Sequence, residues 1–215
     1  MITRRENMNF AAALITAGLS APAFMRYKDI NEDDRKKHGS GLWAAAVFAA
    51  ADILTAFIAG REETGVFSMI SMMIMLNFLF LLSFIDKNHR VIPNVYISGA
   101  FVLRTALILI QGIAEHSLPA VFISSLIGLV AGTVLTGTAY VVSRKGIGSG
   151  DVKMFAVIGY FAGGIATVDI LIYSTVLCAL CGILLLAFRK CGVKDRIPMA
   201  PFAFAGAMIY MITGM

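Results

Sequence analysis

Residues 66–85 read VFSMISMMIMLNFLFLLSFI, and the carboxyl of Asp86 follows at once. The run carries no charge and is apolar on all sides, so a helix made from it would expose hydrocarbon in every direction. Wound at about 1.5 Å per residue, it reaches about 30 Å, the thickness of a bilayer's hydrocarbon core. That length and composition predict a membrane-crossing helix. The rest of the chain agrees, with 59% apolar and 14% charged residues in 215 and a mean hydropathy of +0.83. Soluble domains lie nearer half apolar and a quarter charged.

Working outward from this stretch, eight apolar runs are candidate spans: 8–25, 42–60, 66–85, 95–114, 120–142, 154–168, 170–188 and 201–214. The expected fold is an all-α, polytopic transmembrane helical bundle. No internal repeat or linker breaks it, so residues 1–215 read as one membrane-embedded domain. The run at 8–25 reads as a retained first helix, because further apolar runs follow it. The net charge of +5 would raise nucleic-acid binding in a soluble protein. Here the cations sit in short loops between apolar runs, a placement that controls topology instead. With the N-terminus outside, the segments 26–41, 86–94, 143–153 and 189–200 face the cytoplasm and hold 14 of the 18 basic residues. Cys178, Cys181 and Cys191 give no disulfide framework.

This topology brings Asp86 and Asp151 to one face, each where an apolar run meets a polar loop. Asp86 lies in FIDKNHRVIPN (84–94), where Pro93 delays the next helix. Asp151 lies in GIGSGDVK (146–153), behind three alternate glycines that free the backbone and admit a close neighbour. A helix beginning near Asp151 would hold that carboxylate in its first turn, where the dipole favours its charge. Each aspartate alone also fits a solvated helix cap. If they share a site, two carboxyls suffice for peptide hydrolysis, because like charges that close hold one proton between them. The ionised member activates water and the protonated member polarises the scissile carbonyl. No metal and no cofactor is required.

Gly148, Gly150, Asp151 and Lys153 resemble the GxGD motif of type IV prepilin leader peptidases, which continues with a lysine. Asp86 followed by Ile92-Pro93-Asn94 is similar to that family's first aspartate motif. Ile197-Pro198-Met199-Ala200-Pro201-Phe202 resembles its late I-P-x-x-P-F element. The motifs come in the family's order, over about residues 40–215. The resemblance implies that Asp86 and Asp151 meet as a catalytic pair, with Gly148, Gly150, Lys153, Pro93, Pro198 and Pro201 as motif support. It implies an aspartyl endopeptidase of the cytoplasmic membrane, cutting a basic leader at the cytoplasmic face. The partner would be a prepilin-like substrate, whose N-terminal apolar helix lies in membrane lipid. Bifunctional members carry a methyltransferase domain with paired CxxC motifs after the first helix. Here the corresponding interval, 26–41, has no cysteine, so the expectation is peptidase activity alone, with 42–215 as the catalytic core.

Several residues admit two readings. Asp52, within a span, would pair with Arg104 or line a wet cavity. Lys153 would lower the pKa of Asp151, contact the substrate or snorkel to the interface. Asn77 would hydrogen-bond a neighbouring helix or a substrate. Met69, Met72, Met73 and Met75 would pack or form a pliable wall. The pairs Gly128/Gly132 and Gly159/Gly163 read as close helix contacts. Cys178-x-x-Cys181 reads as packing, and His89 as a headgroup-level residue. The competing functions are a presenilin-like intramembrane protease, a non-catalytic pilus-assembly scaffold and a transporter.

Overall fold

The computed structural model describes residues 66–89, 92–143, 147–188 and 197–213. The described residues form six helices and no strand: α1 Val66–His89, α2 Asn94–Ala114, α3 Leu118–Val142, α4 Ser149–Ala162, α5 Gly164–Ala187 and α6 Ala200–Thr213. Four have apolar stretches long enough to cross a membrane, Phe67–Asp86, Asn94–Ala114, Leu118–Val142 and Gly164–Ala187. The expected all-α class is therefore observed. The expected spans at 8–25 and 42–60 lie outside the described residues.

Helix ends follow local chemistry. Pro93, at φ −68° and ψ 132°, is extended and opens α2. Pro119 sits in the first turn of α3, where a missing N–H costs nothing. Two boundaries differ from expectation. The sixth and seventh runs were expected at 154–168 and 170–188, but α4 starts earlier at Ser149 and stops at Ala162. Gly163 has φ +86° and ψ 178°, a conformation nearly confined to glycine, and the chain turns there directly into α5. At 14 residues, α4 is about 21 Å long, short of the hydrocarbon core. The second difference is at Asp86, where the apolar run ends but α1 continues to His89. Hydropathy marks the edge of the lipid, not the end of the hydrogen bonding.

The chain divides into two compact units, Met1–Asn77 with Met215, and Phe78–Gly214. In the first, Met69, Met72, Met73 and Met75 are all buried, as packing residues are, and the Asn77 amide donates to the Met73 carbonyl at 2.8 Å. In the second, α3 packs chiefly against α4 and α5 against α6. Glycine makes the first contact possible. A Cβ on Gly128 would overlap the Gly159 carbonyl, one on Gly159 the Gly128 carbonyl, and one on Gly132 the Phe155 carbonyl. The two backbones touch, as the glycine spacing predicted. The outer faces stay apolar, with Val102, Ile113 and Ile183 well exposed. Hydroxyls in the spans bond back to their own helix, Ser83 to Leu79, Thr105 to Phe101 and Ser174 to Ile170. Such bonds satisfy polar groups where no water can.

The glycine contact predicts opposite signs for one chemical change. Gly159→Ala should lower stability in detergent by about 3 kcal/mol, since overpacked backbones cannot yield. Gly137→Ala, with open space around it, should be neutral or gain up to about 1 kcal/mol of helix propensity. Thermal melts of the two variants against the parent check this.

Candidate active site

The three sequence motifs converge at one end of the unit Phe78–Gly214. Asp86 is only 6% exposed, so it is not a solvated cap. Its Oδ2 accepts the backbone N–H of Ala200 at 3.1 Å. Ala200 is the first residue of α6, and the first amides of a helix have no partner within it. The next two amides, of Phe202 and Ala203, reach the Met199 carbonyl, as Pro198 and Pro201 frame the helix start. The late proline element thus supplies Asp86 with a donor from 114 residues away.

Asp151 stands in the first turn of α4. Its Oδ2 accepts the Gly148 N–H at 3.1 Å, half of a capping box, since glycine has no side chain to return the bond. Two influences favour the charge, this bond and the helix dipole. Burial opposes it and wins. Loss of water pushes the Asp151 carboxyl up to about 6, against the pull of the Gly148 amide, and the nearby charge of Asp86 adds to the rise. The expected placement in the first turn is observed, but desolvation outweighs the dipole's favour.

The glycines act through space, not backbone freedom. Gly148 has φ −72° and ψ 142°, ordinary extended backbone, and among the described glycines only Gly163 has positive φ. A Cβ on Gly150 would come within 3.2 Å of the Ile92 side chain. One on Gly148 would lie 3.1 Å from the Asp151 carboxylate. Gly146 lies outside the described residues. Lys153 donates from Nζ to Asn94 Oδ1 at 2.8 Å, at the exposed rim, and ties the second motif to the first. Ile92 lies beside Gly150, so the residues around Ile92 and Asn94 run along the start of α4.

Sequence reasoning named both aspartates but not the Ala200 amide or the Asn94–Lys153 bond. A backbone donor leaves no mark in sequence beyond the flanking prolines. Cys178 and Cys181 are free thiols on α5, and among the described residues no cluster of His, Cys, Asp or Glu could hold a metal ion. The apolar groove along α3, lined by Leu126, Ile127, Val130, Ala131, Val134 and Leu135, has no titratable side chain and lies outside this site.

Comparison with known families matches residues 73–186 to the type IV leader peptidase family, more than half of the chain. The chain belongs to that family. It is also similar to a prepilin leader peptidase/N-methyltransferase of Bacillus subtilis (strain 168), 23% identical over 171 residues. That alignment covers 78% of this chain and 66% of the relative, so the chain spans just under two thirds of the relative's length. No solved structure matches it significantly. The leader peptidase match contains both aspartates, and with four membrane-length helices it makes the chain a membrane protein.

A raised carboxyl pKa is also a stability statement. The Asp151 proton binds more tightly in the folded protein, at about 6, than at the unfolded value of 3.8. The stability this group contributes is full below about pH 4 and is lost as pH rises through about 6. Asp151→Asn removes that loss. The variant should therefore be more stable than the parent by about 3 kcal/mol at pH 8, with the difference vanishing towards pH 4. Melts at the two pH values measure it.

Proposed function

We propose that the chain is an aspartyl endopeptidase that removes the basic leader of type IV prepilin-like subunits at the cytoplasmic face of the membrane, with Asp86 and Asp151 as its catalytic pair. What supports this reading is that both aspartates belong to motifs at one end of the same helical unit, Asp86 accepting the first amide of α6 and Asp151 raised to about 6 by burial with the charge of Asp86 adding to the rise. Family membership supplies the substrate class. Residues 1–215 act as a multi-pass protein of the cytoplasmic membrane, with the N-terminus outside and both aspartates on the cytoplasmic side. Without the cysteine-bearing insertion after the first helix, its product leaves unmethylated.

The chemistry follows from the shared proton. One proton is shared by the pair, and neither residue is permanently the acid or the base; in the state that starts the reaction it is drawn on Asp151. Asp86 takes a proton from a water molecule, and the water oxygen adds to the scissile carbonyl. Asp151 donates to the carbonyl oxygen as negative charge develops there. Collapse of the tetrahedral adduct breaks the C–N bond: the proton held by Asp86 passes to the leaving amine, and a hydroxyl of the adduct returns its proton to Asp151 as the new carboxyl group forms. The pair begins and ends with one proton, which belongs to both residues. Lys153, held at the rim by Asn94, lies where the leader would approach, and the missing side chains of Gly148 and Gly150 leave room for the Asp151 carboxylate and Ile92.

Asp86→Asn and Asp151→Asn should each abolish cleavage of a co-expressed prepilin while membrane insertion and yield stay normal. Normal cleavage by either variant would refute the pair. In the parent, kcat/KM should fall on the alkaline side with an apparent pKa near the raised value of about 6, as the shared proton is lost. A rate that stays level through pH 8 would contradict it.

A further inference from the structure

The carboxyl end of α4 stops inside the protein, where Gly159, Tyr160 and Phe161 are all buried. A helix leaves its last four carbonyls without partners of its own, and leaving one unpaired in an apolar interior is costly. The Gly159 carbonyl is taken by the Gly163 N–H at 2.9 Å. The Tyr160 carbonyl is taken from outside the helix. Arg104, ten positions into α2 and only 6% exposed, donates from Nε to it at 3.0 Å. The same guanidinium donates from Nη2 to Ser125 Oγ of α3 at 2.9 Å and lies 5.7 Å over the Phe161 ring. One cation thus joins α2, α3 and α4 at depth.

We propose that Arg104 is the C-terminal cap of α4 and, through that helix, the positioning residue for Asp151. The part that concerns activity rests on the peptidase reading above. Two features give the guanidinium this role. Its charge meets the negative end of the α4 dipole, while Asp151 occupies the positive end of the same helix. Its planar fork serves a carbonyl and a hydroxyl at once, which an ammonium cannot do with the same geometry. At the opposite end, among the described residues, α2 and α4 meet through the exposed Lys153–Asn94 bond, with Ile92 close to Gly150. The buried anchor therefore limits how far α4 slides or turns, and with it where the carboxyl of Asp151 meets Asp86. A misplacement of about 1 Å costs on the order of 100-fold in rate.

The test measures hydrogen exchange in α4 and prepilin cleavage in Arg104→Met, Arg104→Lys and Ser125→Ala, all in the full chain. Exchange at the carboxyl end of α4 should rise most in Arg104→Met, less in Arg104→Lys and least in Ser125→Ala. In Arg104→Met, kcat should fall on the order of 100-fold with KM within about twofold, and lysine should restore about tenfold. Unchanged exchange in Arg104→Met overturns the cap, whatever the activity. Raised exchange with unchanged kcat, or a change confined to KM, overturns the positioning role. If the methionine variant does not fold, an Arg104→Lys variant equal to the parent in both measurements overturns the proposal. A parent that cleaves no prepilin removes the peptidase reading and leaves the cap to be judged by exchange alone.

Discussion

Asp151 is the point where opposing forces on one carboxyl are resolved. The first turn of a helix and a backbone amide both invite the negative charge. Burial and the neighbouring Asp86 refuse it, and the carboxyl rests at about 6. A carboxyl that can hold or release its proton near neutrality is what acid–base hydrolysis needs. The surrounding structure serves to keep it there. Asp86 must be close enough to be felt and yet held, and the first amide of α6 holds it. The glycines at 148 and 150 are small because the carboxylate and Ile92 fill the space a side chain would need.

The same logic of close approach runs through the helices. α3 and α4 meet backbone to backbone at Gly128 and Gly159, so α4 is wedged into the unit despite its length of 14 residues. In lipid the hydrophobic effect gives no net drive for helices to associate, and tight packing with buried polar bonds must supply it. Hydroxyls folded back on their own carbonyls satisfy polar groups within the spans, and Arg104 takes up the Tyr160 carbonyl next to the break at Gly163.

Much of this was legible in the chain. A twenty-residue uncharged run is a span because no other solvent suits it, and four of the six described helices begin within two residues of the apolar runs that predicted them. The exceptions are α4 and α5, whose shared break depends on the φ of Gly163. Sequence cannot tell which of several glycines turns positive. The two aspartates stood out by their place at the edge of apolar runs, and the family resemblance named them as a pair. Their electrostatics did not stand out, because the balance of dipole against desolvation depends on what packs around Asp151. Asp52 was the expected partner for Arg104, but it lies outside the described residues. The acceptors that are described, Tyr160 carbonyl and Ser125 Oγ, are groups that no charge-pairing argument would select.

The central claim is that the two carboxyls share a site and influence each other's proton. Carbon-13 NMR titration of the aspartate carboxyls, with Asp151 assigned, tests it directly in the parent and in Asp86→Asn. The account predicts a midpoint for Asp151 near 6 in the parent and a lower one once the charge of Asp86 is gone. A midpoint in the ordinary carboxylate range, or one that Asp86→Asn leaves unmoved, would contradict it.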